Sequence, residues 1–371
     1  MCATPDSGLA AAERDAWLAL GQVPGLGSAG MRRLLARFGG PQAIYAMPYA
    51  LLATVATEAV ARDIANGIVE ARIDASRRWL EHPDHHLVTL ADADYPPLLL
   101  QIPDPPVMLF VNGRRDLPAR AALAVVGSRN ASAQGVRDAE AFARELSDAG
   151  LLIVSGLALG IDAAAHRGGL AGRGATLAVI GTGPDMVYPA SNRLLARRIA
   201  EEASIISEFS PGTPPHAANF PRRNRILSGL SLGCLVVEAT LNSGSLITAR
   251  LAAEQGREVF ALPGSIHSPL SRGGHALIRQ GARLVEAARD ILEELRWGDT
   301  ATAPAARETT AHAGVDGDDV LWQAMGHAPV AIDVLIERSG LTAQTVSAML
   351  LERELAGQVA CLPGGLYQRV S

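Results

Sequence analysis

Leu123-Ala-Val-Val-Gly-Ser-Arg129 is a short apolar run that stops at a glycine and an arginine. Consecutive apolar residues without alternation fit a strand covered on both faces, as in a parallel sheet. The same unit recurs down the chain at Leu151–Val154, Thr176–Ile180, Ser204–Ser207, Cys234–Val237 and Glu258–Leu262. Between these runs the apolar spacing predicts helices, among them Ala139–Ala149, Asn192–Ala203 and Leu246–Gln255. Buried strands alternating with helices define an α/β domain, doubly wound around a mostly parallel sheet, from about 121 to 296.

In such a sheet, ligands bind beyond the carboxyl ends of the strands, where the strand order reverses. Small residues crowd those ends here. They are Gly127, Ser128 and Arg129 after the first strand, then Ser155 and Gly156 with Gly160-Ile-Asp162 after the second. Gly181-Thr-Gly183 follows the third strand, and Asn242-Ser243-Gly244-Ser245 opens a helix after the fifth. Small residues let backbone amides approach an anion, and hydroxyls add hydrogen bonds. Arg129 would add a forked charge suited to phosphate.

A second cluster lies in Asn219-Phe-Pro-Arg-Arg-Asn-Arg-Ile-Leu-Ser-Gly-Leu-Ser231. Phe220 stands beside Arg222, Arg223 and Arg225, with Asn224 among them, and Ile226, Leu227 and Leu230 resume a helical spacing. Arginines at a helix start oppose the helix dipole, so an anion is expected there. A base stacking on the ring while guanidinium groups take phosphates is how single strands are held. The plainer reading is a solvated basic turn with Phe220 in the core.

Common nucleotide sites do not fit. No G-x-G-x-x-G follows the first strand, and Ser155 stands where a dinucleotide fold uses an acid for the ribose. No G-x-x-x-x-G-K-[ST] occurs. Asp162 is expected to cap a helix, and His166 to pack or face water. Glu238, at the end of an apolar strand, is the carboxylate to watch as an acid or base. It has no partnered nucleophile, base or metal cluster in the sequence, so a structural role is favoured.

On the amino-terminal side, residues 9–20 read as a helix. Val23-Pro-Gly-Leu-Gly27 and a second helix with Met31, Leu34, Leu35 and Phe38 follow. This is either a helix-hairpin-helix unit, with amides, Arg32, Arg33 and Arg37 on a phosphate backbone, or a plain helical hairpin. Residues 50–80 continue as helices, giving a small all-α domain over 1–90. A proline-rich connector with one strand, Val107–Val111, leads into the core domain, placed at 91–298.

Beyond a linker at Gly298–Gly314, three helices (317–326, 330–338 and 342–356) and a hairpin predict a winged-helix-like domain over 315–371. Residues 316–371 hold three arginines against seven acids. That balance favours protein contacts or a vestigial role over groove binding.

The chain of 371 residues has 48% hydrophobic and 19% charged content, which describes a globular protein. Its net charge of −5 confines any nucleic-acid site to a local concentration of arginine. All 33 basic residues are Arg, so a Schiff-base or Walker-A lysine is excluded. Cys2, Cys234 and Cys361 form no C-x-x-C pair, and neither a zinc site nor a disulfide framework is suggested. No apolar run is long enough to span a bilayer, and the opening residues lack signal-peptide character. A cytoplasmic protein without metal or cofactor is expected.

From about Asp92 to Leu295 the chain resembles the DprA/Smf family, the DNA-processing proteins of bacterial natural transformation. The resemblance rests on Val126-Gly-Ser-Arg129, Ser155-Gly-Leu-Ala-Leu-Gly-Ile-Asp162 and Phe220-Pro-Arg-Arg-Asn-Arg-Ile226. Ser243-Gly-Ser-Leu-Ile-Thr248 and Pro263-Gly264 complete it. It implies a Rossmann-like core that binds single-stranded DNA without cutting it, forms a homodimer and helps load RecA recombinase. It also implies that Arg129, Phe220, Arg223 and Arg225 line the DNA pocket. Family members often carry a basic residue just before the Phe. Here His216-Ala-Ala-Asn219 leaves that contact to His216 or leaves it out. The rival reading is a Rossmann-like nucleotide-processing hydrolase using Glu238, but the Gly-Gly-x-Gly-Thr-type loop it needs is missing after Pro263. A third reading is a recombinase-binding scaffold alone.

Overall fold

Nine strands make one sheet. In chain order they are β1 (His85–Thr89), β2 (Met108–Gly113), β3 (Ala122–Val126), β4 (Leu152–Ser155), β5 (Thr176–Val179), β6 (Ser204–Ser207), β7 (Gly233–Val236), β8 (Glu258–Ala261) and β9 (Arg283–Leu284). The computed structural model describes residues 11–297, 319–326, 329–362 and 365–370. Across the sheet the order is β1-β2-β6-β5-β4-β3-β7-β8-β9. The strands from β6 to β9 in this order run parallel, while β1 and β2 add an antiparallel edge. The chain winds outward from β3 to β6, then returns to lay β7 beside β3. This reversal puts Val126 opposite Val236, so β3 and β7 end side by side.

β3, β4 and β5 are buried at every residue, as their unbroken apolar character requires. One face is covered by a core that includes Leu177, Ile199, Ile206, Ile226 and Leu227. On the other face Phe142, Leu146, Ile153, Ile161 and Phe260 pack together. Helices Ala133–Asp148 and Ile161–Ala171 touch closely at Gly168, where a Cβ would lie 2.2 Å from the Glu140 carbonyl oxygen.

The predicted strands from Leu123 onward all form, within a residue or two at their ends. Two strands of this sheet, β1 and β9, were not expected. β1 lies inside the segment assigned to the helical domain, so the sheet begins before residue 91. Its His85-His86 start hides the pattern, and its pairing with β2 is nonlocal. The helical domain is not a separate body either. Trp17, Leu20, Leu34, Ile64 and Ile73 share one core with Leu87, Met108 and Phe110 of the sheet edge.

In the carboxyl-terminal part, helices Asp319–Met325, Ile332–Ser339 and Ala343–Leu355 pack with a hairpin, Val359–Leu362 and Leu366–Arg369. Val330–Ala331 adds a third strand, completing a winged helix. The expected linker lies outside the described residues. The arginines of this domain make contacts within it. The guanidinium carbons of Arg353 and Arg369 sit 4.7 and 4.4 Å from the Trp322 ring centroid, and Arg338 donates to the Ala324 carbonyl at 3.4 Å.

Candidate nucleic-acid interface

The reversal between β3 and β7 opens a crevice of about 690 Å3. Gly127, Ser128 and Arg129 form one wall, Phe220, Arg223 and Asn224 a second, and Ser243, Gly244 and Ser245 a third. Gly127 is required by close approach, because a Cβ there would meet Ile161 at 2.6 Å. Gly160 has φ +71° and sits against the Ser128 carbonyl oxygen.

Several amides expected to face an anion are engaged within the protein. Ser128 N–H donates to the Glu238 carbonyl at 2.7 Å. Gly156 and Ala158 N–H donate to the Asp162 carboxylate at 3.1 and 3.4 Å. Ser155 is buried, its hydroxyl donating to the Val125 carbonyl at 2.7 Å. Ser155, Gly156 and Gly160 therefore shape the crevice from behind and do not line it. Asp162 braces the preceding loop rather than capping its own helix.

Glu238 is a clamp. Its carboxylate accepts from Ser132 N–H at 2.8 Å and from the Ser132 hydroxyl at 2.5 Å. Gly135 leaves room for it, since a Cβ there would lie 2.4 Å from Glu238 Cδ. Among the described residues no group of three or more His, Cys, Asp or Glu could hold a metal ion.

The three arginines of the Asn219–Gly229 helix divide between different surroundings. Positions 222 and 225 are i,i+3 neighbours on one side, whereas 223 lies about 100° further round. Arg222 and Arg225 both meet Glu208, at 3.2 and 2.5 Å, and Arg225 also meets Asp104 at 3.3 Å. Neither lines the crevice, which corrects the expectation for both. Arg223 does line it, but its guanidinium is buried and donates to the Gly156 carbonyl at 2.8 Å and to the Val179 carbonyl. Gly156 is small because that guanidinium occupies the space of a side chain. Burial lowers the Arg223 pKa to about 10 and raises that of Asp162, their mutual attraction opposing both shifts. Arg223 thus ties β4 to β5 and has little left for a phosphate.

Phe220 and Arg129 remain. Phe220 rests half-buried on the backbone of Gly181, where a Cβ would lie 3.0 Å from its ring. Arg129 is exposed, with its guanidinium carbon 5.9 Å from the Phe220 centroid. No ion pair engages Arg129 among the described residues. Tyr188, absent from the sequence reading, lines the same crevice with its ring 5.5 Å from that of Phe220. A signal existed in the Gly181-Thr-Gly183 loop, which runs on to an aromatic residue only five positions later. A groove of similar size, about 740 Å3, between helices Ser245–Glu254 and Arg272–Arg279 contains no aromatic residue.

The helix-hairpin-helix reading fails for Arg32. It is drawn onto the connector, pairing with Asp104 at 2.6 Å and the Pro105 carbonyl at 2.8 Å. The Ser28 hydroxyl at the hairpin donates to Glu208 at 3.1 Å, so an acid faces that turn. Arg33 and Arg37 stay exposed. His166 packs in the core. It accepts from Leu157 N–H at 3.3 Å and lies 2.8 Å from the Thr176 hydroxyl.

A mostly parallel sheet whose strand order reverses between β3 and β7, with helices on both faces, defines a Rossmann-like core. The sequence profile described as DNA recombination-mediator protein A matches residues 86–296, and that of the DprA winged helix domain matches 301–365. Protein Smf of Escherichia coli K12 is 46% identical over 300 residues, covering 79% of this chain and 80% of its own. DNA processing protein DprA of Streptococcus pneumoniae is 47% identical over 229 residues, covering 59% of this chain and 81% of its own.

In three dimensions the chain is similar to DprA from S. pneumoniae, with TM-score 0.68 and 38% identity over 76% of this chain and 97% of that one. It is also similar to DprA from Helicobacter pylori, described for its single-stranded DNA binding mode. That likeness has TM-score 0.52 and 29% identity over 57% of this chain and 96% of that one. The chain belongs to the DprA/Smf family of DNA-processing proteins.

Proposed function

We propose that this protein binds single-stranded DNA in the crevice between β3 and β7, protects it and passes it to a RecA recombinase. The observation that carries this reading is the pairing of a half-exposed Phe220 with an unpaired Arg129 at the sheet's switch point. Together they offer a base face and a phosphate charge with no catalytic constellation beside them. Family membership supports the assignment, as does the single-stranded DNA binding mode described for the H. pylori relative. Gly127, Ser128, Asn224, Ser243, Gly244 and Ser245 form the remaining contact surface. Arg223 positions the ends of the strands.

Glu238 is committed to Ser132, which leaves a hydrolase reading without its acid or base. No helix among the described residues is long and apolar enough to cross a membrane. We take the protein to act in the cytoplasm as a homodimer.

Equilibrium binding to a labelled oligonucleotide across a salt series tests the site. Arg129→Ala should weaken binding and lower the log–log salt slope by roughly 0.7. Phe220→Ala should cost about 1–3 kcal/mol with the slope unchanged. If both variants fold and bind as the wild type does, the crevice is not the DNA site.

A further inference from the structure

A second aromatic ring in the crevice is left unused by stacking on Phe220 alone. Tyr188 is 47% exposed, and its ring is tilted 41° to that of Phe220. The loop that carries it is tightly held. The Ser207 hydroxyl donates to the Thr182 carbonyl at 2.6 Å, and the Thr182 hydroxyl to the Met186 carbonyl at 2.7 Å. Gly183 N–H donates to the Thr213 carbonyl at 2.9 Å. The Asp185 carboxylate accepts from Gly212 N–H at 2.9 and 3.0 Å. Just past the ring, the Asn192 amide donates to the Leu157 and Ala158 carbonyls at 2.9 and 3.1 Å.

Behind this loop is a second cavity of about 400 Å3 with Leu157, Ile180, Met186 and Val187 in its wall. Its wall is mixed, with His85, Asp185, Arg193 and Arg197 beside the apolar residues, and it comes within one residue of Tyr188. Met186 and Val187 line it, while Tyr188 faces the crevice. Burial of a large aromatic is worth a few kcal/mol, so a ring fixed half in water beside such a cavity forgoes stabilisation. A planar partner arriving from the crevice would recover it.

We propose that Tyr188 is a second stacking platform, taking the base adjacent to the one on Phe220, so that the crevice seats two consecutive nucleotides. This rests on the reading of Phe220 and Arg129 as the single-strand site. The two centroids are 5.5 Å apart, less than the roughly 7 Å that two van der Waals contacts need to enclose a base. The rings therefore cannot sandwich one base between them, and each offers a face to its own. Arg129, 5.9 Å from the Phe220 centroid, is placed for the phosphate that links the two nucleotides.

The test uses the full chain and oligothymidylate of fixed length, read by fluorescence anisotropy at several salt concentrations. Tyr188→Ala and Tyr188→Leu should each weaken binding roughly 5- to 150-fold. Leu preserves apolar volume without an aromatic face, so its thermal melt should match the wild type. Tyr188→Phe should bind within about twofold of the wild type, and none of the three should alter the salt slope. Combining Phe220→Ala with Tyr188→Ala should weaken binding more than either change alone, with a coupling between them because the two rings touch.

A folded Tyr188→Leu of wild-type affinity, beside a weakened Arg129→Ala, overturns this inference and leaves the strand-end site standing. Tyr188→Phe as weak as Tyr188→Ala also overturns it, because the hydroxyl and not the ring would then make the contact. Wild-type binding by both Arg129→Ala and Phe220→Ala removes the site and this inference together.

Discussion

Arg129 and Arg223 are the same residue type on facing walls of one crevice, and their surroundings give them opposite tasks. Arg129 keeps its donors in solvent, so a phosphate can claim them. Arg223 spends its donors on carbonyl oxygens at the ends of β4 and β5, and leaving those oxygens unpaired is costly. Arg223→Ala should lower stability by about 3 kcal/mol, measured by chemical denaturation. His166 gives a further test. Burial lowers its pKa to about 3, against about 6.5 when unfolded. Between those values the unfolded chain binds a proton that the folded chain refuses, so stability falls as pH falls. From pH 7 to pH 5 the wild type should lose roughly 2 kcal/mol more than His166→Gln, which cannot titrate there. Equal losses would show that the imidazole titrates normally in the fold.

The helix Asn219–Gly229 serves two neighbours at once. Its first turn presents Phe220 to the crevice, while Arg222 and Arg225 grip Glu208 beside the amino-terminal helices. Glu208 and Arg225 have side chains only 6% and 11% exposed, so truncating one partner strands a buried charge. Arg225→Ala should destabilise the protein by about 3 kcal/mol. The folded fraction should bind single strands within about threefold of the wild type, because Arg225 does not face the crevice. An intact melting temperature with a tenfold loss of affinity would return Arg225 to the DNA site. Arginines at positions i, i+1 and i+3 cannot all face one pocket, and that geometry was legible in the residue order. Which of them would be buried was not, since Glu208, Asp104 and the strand-end carbonyls are far away in sequence.

Across the whole molecule, charge separates the parts. The winged helix is acidic, and each of its three arginines is engaged within it or turned to Trp322. Removing residues 299–371 should leave single-strand affinity within a few-fold of the full chain, measured with the same oligonucleotide. A hundredfold loss would place a DNA contact in that domain. The amino-terminal helices are a different case. They share a core with β1 and β2, so cutting at residue 91 would remove an edge strand and expose Met108 and Phe110. Truncation from that end should therefore destabilise the fold before it reports on binding.

The sequence alone determined the α/β core, the run of buried strands, the glycine-rich strand ends and the winged helix. Each is encoded locally, in apolar periodicity and turn residues, which act over a few positions. It also marked Phe220 and Arg129 as candidates, an aromatic beside arginines and a strand-end arginine suited to an anionic ligand. The tertiary structure decided which polar groups remain free to meet that ligand. Arg223, Arg225, Arg32 and Ser155 all looked available in the chain. They lost that freedom to partners brought from elsewhere, because a buried charge or hydroxyl must be satisfied by whatever the fold places beside it. Tyr188 took the opposite course, an ordinary loop residue in sequence that the fold sets beside Phe220.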